Sequence, residues 1–248
     1  MSTGLSEPMV LRDMSGYRQR SLDKDRAIAV LEQTLNLLAR PFEAGEAVIA
    51  KPSCTVNGLA DTLLAVRNNS RALFLYAPLR LFLNSIARKG ITGRLWGREL
   101  FITTQKTAHV DLGFDDEQLF GQTDLQIAGL AWLAQNRIYE DLLTEHGGDR
   151  IASLDSETFL ARGAESLARI GRLFALDMDE ARAQAIADSA VFRRHSKFGD
   201  DFDASKRREE QAAGESAHAD EIEKVAVWVE TVAEGLNIPI RPSGSIMG

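Results

Sequence analysis

Two apolar runs in this chain each stop at a proline, and a helix-like pattern takes over at once. "RALFLYA" (71–77) ends at Pro78. Proline has no N–H for a strand ladder, but its fixed φ suits the first turn of a helix. The following "PLRLFLNSIARKG" has apolar residues at helical spacing and Gly90 where a helix C′ residue belongs. "EAVIAKPS" (46–53) is likewise an apolar run ended by Pro52, followed by "NGLADTLLAVRN" with Asn57 near a helix start. "RIASLD" (150–155) is a third short run before a helical stretch. Short apolar strands alternating with helices imply a parallel sheet covered on both faces. The expected fold is therefore α/β and helix-rich, with strands near 46–51, 71–76 and 150–154.

Helical spacing marks the rest. In "DKDRAIAVLEQTLNLLARPF", Ile28, Leu31, Leu35 and Leu38 recur on one face. Leu119, Ile127, Leu130, Leu133, Ile138 and Leu142 predict mostly helix over 115–146. Further helices are expected over roughly 156–173, 178–192 and 216–236. The segment 197–220 is charged and weakly periodic, which predicts an exposed loop or lid. The chain length fits one large domain, and 1–248 is expected to be a single one.

Several classes of function fall away. A net charge of −7 makes a poor polyanion binder, so no nucleic-acid partner is expected, although a local basic cluster can still hold a small phosphate. One cysteine, Cys54, allows no internal disulfide and suits a reducing, cytoplasmic setting. No apolar run approaches the ~20 residues of a membrane span, and "MSTGLSEPMVLRD" has no apolar signal core. There is no HxxxH, CxxC or GxSxG pattern, so no metal site or serine-hydrolase elbow is expected. His109, His146 and His195 read as structural.

Ligands in open α/β sheets sit beyond the carboxyl ends of the strands. Those ends are Lys51-Pro52-Ser53-Cys54, Ala77-Pro78 and Asp155. Lysine at the end of an apolar strand is costly to bury without an anion; alternatively its stem snorkels and its ammonium reaches water. Ser85 and Arg88, three apart, share a helix face, functional or merely solvated. Arg193, Arg194, His195 and Lys197 precede Gly199, a basic cluster that could close over a phosphate or form a solvated linker.

Taken in order, these stretches resemble the sulfotransferase family, a branch of the P-loop α/β fold. "LSEP" (5–8) is similar to the Ser-Glu-Pro of many bacterial members, "VIAKPS" to a strand ending in lysine, and "LFLYAPLRLFLNSIARKG" to the stretch "YRxPxxxxxS". "HSKFGDDF" resembles the Lys/Gly loop over the nucleotide, and "EIEKVAVWVE" the closing helix. The resemblance implies a P-loop NTPase-like fold and transfer of a sulfuryl group from 3'-phosphoadenosine-5'-phosphosulfate to a hydroxyl or amine, with no metal. It implies Glu7 as base and Lys51 as cation. It also implies a nucleotide held by Ser85, Arg80, Arg88, Arg194, Lys197 and Gly199. Two departures stand out. Ala77 occupies the place of the family's arginine, so Arg80, one turn on, is read as its substitute. The family's Gly/Ser-rich phosphate loop has no counterpart in the chain, and the expectation is that an apolar strand, such a loop and an amphipathic helix lie upstream of Met1, and that the 248-residue form binds phosphoadenosine nucleotides weakly or not at all. Two alternatives remain open: a non-catalytic member acting as an interaction protein, or a kinase-like P-loop transferase with Asp155 as its metal-binding residue. The acceptor and the oligomeric state have no signature in the sequence.

Overall fold

The computed structural model describes residues 2–17, 23–190, 192 and 204–248, with backbone only at 2, 15–17, 24 and 204–217. The chain forms two compact units: Met1–Ser70 with Ile102–Asp111, and Arg71–Phe101 with Leu112–Gly248. The description below takes each unit separately.

In the first unit, β1 (Ser2–Ser6) leads through Glu7-Pro8 into α1 (Met9–Tyr17). Then come α2 (Lys24–Leu38), β2 (Ala47–Lys51), a 3-10 segment (Cys54–Leu59) and α3 (Ala60–Val66). β1 and β2 pair in parallel, from Ser2 opposite Ala47 to Ser6 opposite Lys51. Buried Leu11, Met14, Leu31, Val56 and Leu59 form the core, with Leu35, Leu38, Leu63 and Val66 against it. Thus the predicted apolar face of α2 is the face that packs. The loop before β2 is tied to β1 by the buried Thr3 hydroxyl, which donates to Glu46 Oε2 (2.7 Å) and accepts from the Phe42 N–H (3.0 Å).

In the second unit, β3 (Ala72–Tyr76) pairs in parallel with β4 (Ile151–Asp155), Tyr76 standing opposite Asp155. Pro78 heads α4 (Leu79–Ala87), as its fixed φ predicts. Next follow α5 (Gly90–Ala108), whose residues from Ile102 onward belong to the first unit, then α6 (Asp116–Phe120) and α7 (Asp124–His146). Asp115 and Thr123 close capping boxes with Gln118 and Gln126 at the starts of α6 and α7. After β4 come α8 (Ser156–Ala161), α9 (Gly163–Leu173), α10 (Glu180–Ala187) and α11 (Ala204–Gly235). The core is helical: Leu83 of α4, Leu125, Leu130 and Leu133 of α7 and Val229 of α11 are fully buried. The tail beyond α11 lies along β4. Ser153 N–H donates to the Gly244 carbonyl (3.0 Å), and Ile246 N–H donates to that of Ser153 (2.9 Å). The Ser153 hydroxyl donates to the carbonyls of Pro242 and Ser243, and the Tyr139 hydroxyl to that of Ser243.

The three predicted strands are present within a residue of their expected limits, and the architecture is a helix-rich α/β one. One expectation is corrected. The described residues form two separate two-stranded sheets, not one. β2 pairs with β1, and the second edge of β4 is partly taken by the tail. β2 is also half-buried or exposed along its length, whereas β4 is buried. The expected loop 197–220 lies outside the described residues up to 203 and is helical from Ala204 onward. That stretch is rich in Ala, Glu, Lys and Arg, good helix formers, and poor in the apolar residues that make a helix visible as periodicity.

Candidate functional site

β1 and β2 end side by side, and their ends bring Glu7 and Lys51 together. The ladder runs one step past the strands: Glu7 N–H donates to the Lys51 carbonyl at 2.7 Å. Glu7 then takes a left-handed backbone conformation, φ 46°, uncommon for a residue with a Cβ. This kink releases the chain from the strand into Pro8 and α1, whose first turn begins with Leu11 N–H donating to the Pro8 carbonyl. The Lys51 ammonium lies 3.5 Å from Glu7 Oε1, the two side chains being 58% and 40% exposed. An ion pair this open to water contributes at most about 1 kcal/mol.

Beyond Lys51 the chain passes Pro52 and Ser53 into the 3-10 segment. Val56 N–H donates to the Ser53 carbonyl (2.9 Å), and the Thr55 hydroxyl to that of Ser53 (3.3 Å). Cys54 is half-buried. A carboxylate and an ammonium thus meet at the carboxyl ends of two parallel strands, and the Ser53 and Thr55 hydroxyls follow in sequence. Such a group can accept a proton from a hydroxyl and place a positive charge beside an anion. Lys51 is not buried, so the expected desolvation cost does not arise: its stem follows the strand end and its charge reaches water and Glu7.

The other expected residues are placed differently. Arg80 lies on α4, where its guanidinium grips two carboxylates of α11: Nε and Nη2 donate to Glu223 (2.8 and 2.7 Å), and Nη1 to Glu230 (2.5 Å). These bonds raise the Arg80 pKa and hold Glu223 below the usual carboxylate range. Arg80 therefore fastens α4 to α11. The exposed Ser85 hydroxyl donates to the Phe82 carbonyl one turn back (2.8 Å), a common use for a serine inside a helix. Arg88 caps α4 and is exposed. Arg194, Lys197 and Gly199, with Arg193 and His195, lie outside the described residues. Glu7 and Lys51 belong to the first unit, and Arg80, Ser85 and Arg88 to the second.

At the strand ends of the second unit, Asp155 Oδ1 accepts from the N–H groups of Glu157 (2.7 Å) and Thr158 (3.1 Å), capping α8. That is a structural use of the residue expected to suit a metal. Tyr76 stands beside it, its pKa raised by burial and by the Asp155 charge and lowered in part by Arg241. The Ala77 carbonyl accepts from the Trp132 indole N–H (2.9 Å). Sequence reasoning missed Tyr76 and Arg241. Tyr76 ends an apolar run and reads as core, and Arg241 lies 165 residues further along the chain.

No family model, curated protein or solved structure matches the chain.

Proposed function

We propose that the chain is a sulfotransferase-like protein of the P-loop α/β class, with Glu7 and Lys51 as its reacting pair. One observation carries the reading: the two residues that the sequence resemblance assigns to chemistry stand 3.5 Å apart at the carboxyl end of a parallel strand pair. In this reading the Glu7 carboxylate takes the proton of an acceptor hydroxyl or amine. The acceptor atom forms a bond to the sulfur of 3'-phosphoadenosine-5'-phosphosulfate, and the bond from sulfur to the phosphate oxygen breaks. Adenosine 3',5'-bisphosphate leaves, with Lys51 beside the charge that develops on its phosphate. The strand ends and the start of α1 suit an anion.

Calorimetric titration with adenosine 3',5'-bisphosphate tests it. Wild type should bind only weakly, because residues 1–248 include no Gly/Ser-rich phosphate loop. Lys51→Ala should bind at least about tenfold more weakly, the loss of one charge-assisted contact. Glu7→Gln should bind as wild type yet fail to transfer sulfate to small alcohol or amine acceptors. A folded wild-type chain that does not bind overturns the enzymatic reading. The commitment of Arg80 to Glu223 and Glu230 favours a second reading in that event, a non-catalytic relative that acts through protein interaction.

A further inference from the structure

Polar groups without partners gather where β3 and β4 end. Asn136 of α7 is 1% exposed, and its Oδ1 has no hydrogen-bond partner among the described residues. The buried Ser156 Oγ, next to Asp155, has none either. Among the same residues the half-buried Tyr76 hydroxyl makes no hydrogen bond, and the exposed Arg241 makes no ion pair. Buried polar groups are nearly always paired, so such orphans at one place require an explanation. The fold brings them together. Trp132, Asn136 and Tyr139 lie on one face of α7 at helical spacing. Trp132 reaches the Ala77 carbonyl, and Tyr139 stacks on Phe74 with ring centroids 4.9 Å apart, so Asn136 lies level with Tyr76. Tyr76 stands opposite Asp155 in the strand register, which puts Ser156 beside the same strand end. Asn136 Nδ2 donates to the Pro239 carbonyl (3.2 Å), and the Tyr139 hydroxyl to that of Ser243, so the tail carries Arg241 across this place. The charges of Asp155 and Arg241 both act on the Tyr76 hydroxyl, yet the two do not pair with each other.

We propose that these strand ends hold a small α-amino acid, its ammonium between Asp155 and Asn136 and its carboxylate on Arg241. The chemistry of the groups selects it. Asn136 Oδ1 can only accept, so it requires an N–H or O–H on the ligand. Asp155 uses Oδ1 to cap α8 and keeps Oδ2 as a second acceptor. An ammonium has donors for both, with one left for Ser156 Oγ. Arg241 requires an anion. A ligand with negative charge alone meets Asp155, and one with positive charge alone meets Arg241, whereas a zwitterion answers both. Burial of the Asn136 and Ser156 oxygens admits only a small ligand, seated under tail residues 239–241. The carboxyl ends of parallel strands are also where α/β folds bind their ligands. The site lies within the second unit and does not depend on Glu7 and Lys51.

Calorimetric titration of the whole chain with glycine, alanine, serine and threonine, one at a time, tests the proposal. At least one should bind with a Kd below about 1 mM. Its two halves, the amine without the carboxylate and the acid without the ammonium, should each bind at least about tenfold more weakly. Arg241→Gln removes an exposed charge and should weaken binding at least about tenfold. Asp155→Asn keeps the oxygen that caps α8, removes the charge that faces the ammonium, and should weaken binding by a similar factor. Circular dichroism establishes that both variants are folded, and the comparison with the two halves needs no variant. No binding by any of the four at about 10 mM overturns the proposal and leaves Asn136 Oδ1 to an internal water. Either half binding as tightly as the whole, or unchanged affinity in either variant, overturns it too.

Discussion

Gly129 lies in the middle of α7, where glycine lowers helix stability by about 0.5–1 kcal/mol relative to alanine. Gly129→Ala should nevertheless destabilise the second unit. An added Cβ would stand 2.5 Å from Val229 Cγ2 of α11, well inside ordinary carbon contact, while Val225 Cγ1 at 3.7 Å and Leu83 Cδ2 at 3.9 Å are normal neighbours. Val229 is fully buried, and a helical valine has one strongly preferred χ1, so its methyl cannot simply turn aside. Either α11 moves off α7 or Val229 leaves its rotamer. Overpacking of this kind costs about 1–3 kcal/mol. Set against the gain in propensity, the net effect should be a loss of about 1 kcal/mol. Equilibrium urea unfolding followed by circular dichroism measures it as a lower midpoint at unchanged slope. Combining Gly129→Ala with Val229→Ala should relieve the collision, so the double variant should be more stable than the sum of the single losses by at least about 1 kcal/mol. A Gly129→Ala protein more stable than wild type, or a cycle additive to within about 0.5 kcal/mol, would refute the argument.

Two further outcomes follow from the same geometry. Ala175 closes α9 in a left-handed conformation, φ 51°, with its own N–H on the Arg172 carbonyl and the Leu176 N–H on that of Gly171. That is a Schellman ending with a Cβ where glycine is preferred, so Ala175→Gly should raise stability by up to about 1 kcal/mol, read as a higher urea midpoint. The Glu221 carboxyl is held below its ordinary pKa chiefly by hydrogen bonds from Arg94. A depressed folded-state pKa contributes stability above the unfolded value, about 4.3, and that contribution disappears as pH falls through the lower folded value. Arg94→Gln should therefore cost about 0.5 kcal/mol near neutral pH, a figure discounted for the pair's partial exposure. The cost should fade below about pH 4, as measured by urea midpoints across pH; a constant penalty would contradict the linkage.

The elements legible in the sequence are those whose burial leaves a mark. β3, β4 and the proline-headed α4 are apolar runs with punctuation at their ends. β1 is not legible, because Leu5 is its one large apolar residue and its place depends on pairing with β2. Nor is α5, whose Gly90, Gly93 and Gly97 argue against a helix. Gly97 is accommodated because α5 approaches Ala128 so closely that a Cβ would stand 2.7 Å from that side chain. The candidate site was legible in part. Glu7 and Lys51 follow from the resemblance, but their meeting depends on a parallel register 45 residues apart. The role of Arg80 was not legible, because its partners lie 143 and 150 residues downstream, and only the packing of α4 against α11 makes them neighbours.

The tail along β4 sets a timetable for synthesis. Ser243, which receives the Ser153 hydroxyl, lies 90 residues after it. At the usual rate of about 5–20 residues per second, some 5–20 s separate the emergence of the strand from that of its covering segment. During that interval one side of β4 has no partner from the tail, and β4 depends on α7 and α8 for cover. A growing chain in this state offers a strand edge to other nascent chains. Slowing translation between codons 155 and 240 should therefore increase aggregation of newly made protein without altering the stability of the finished fold.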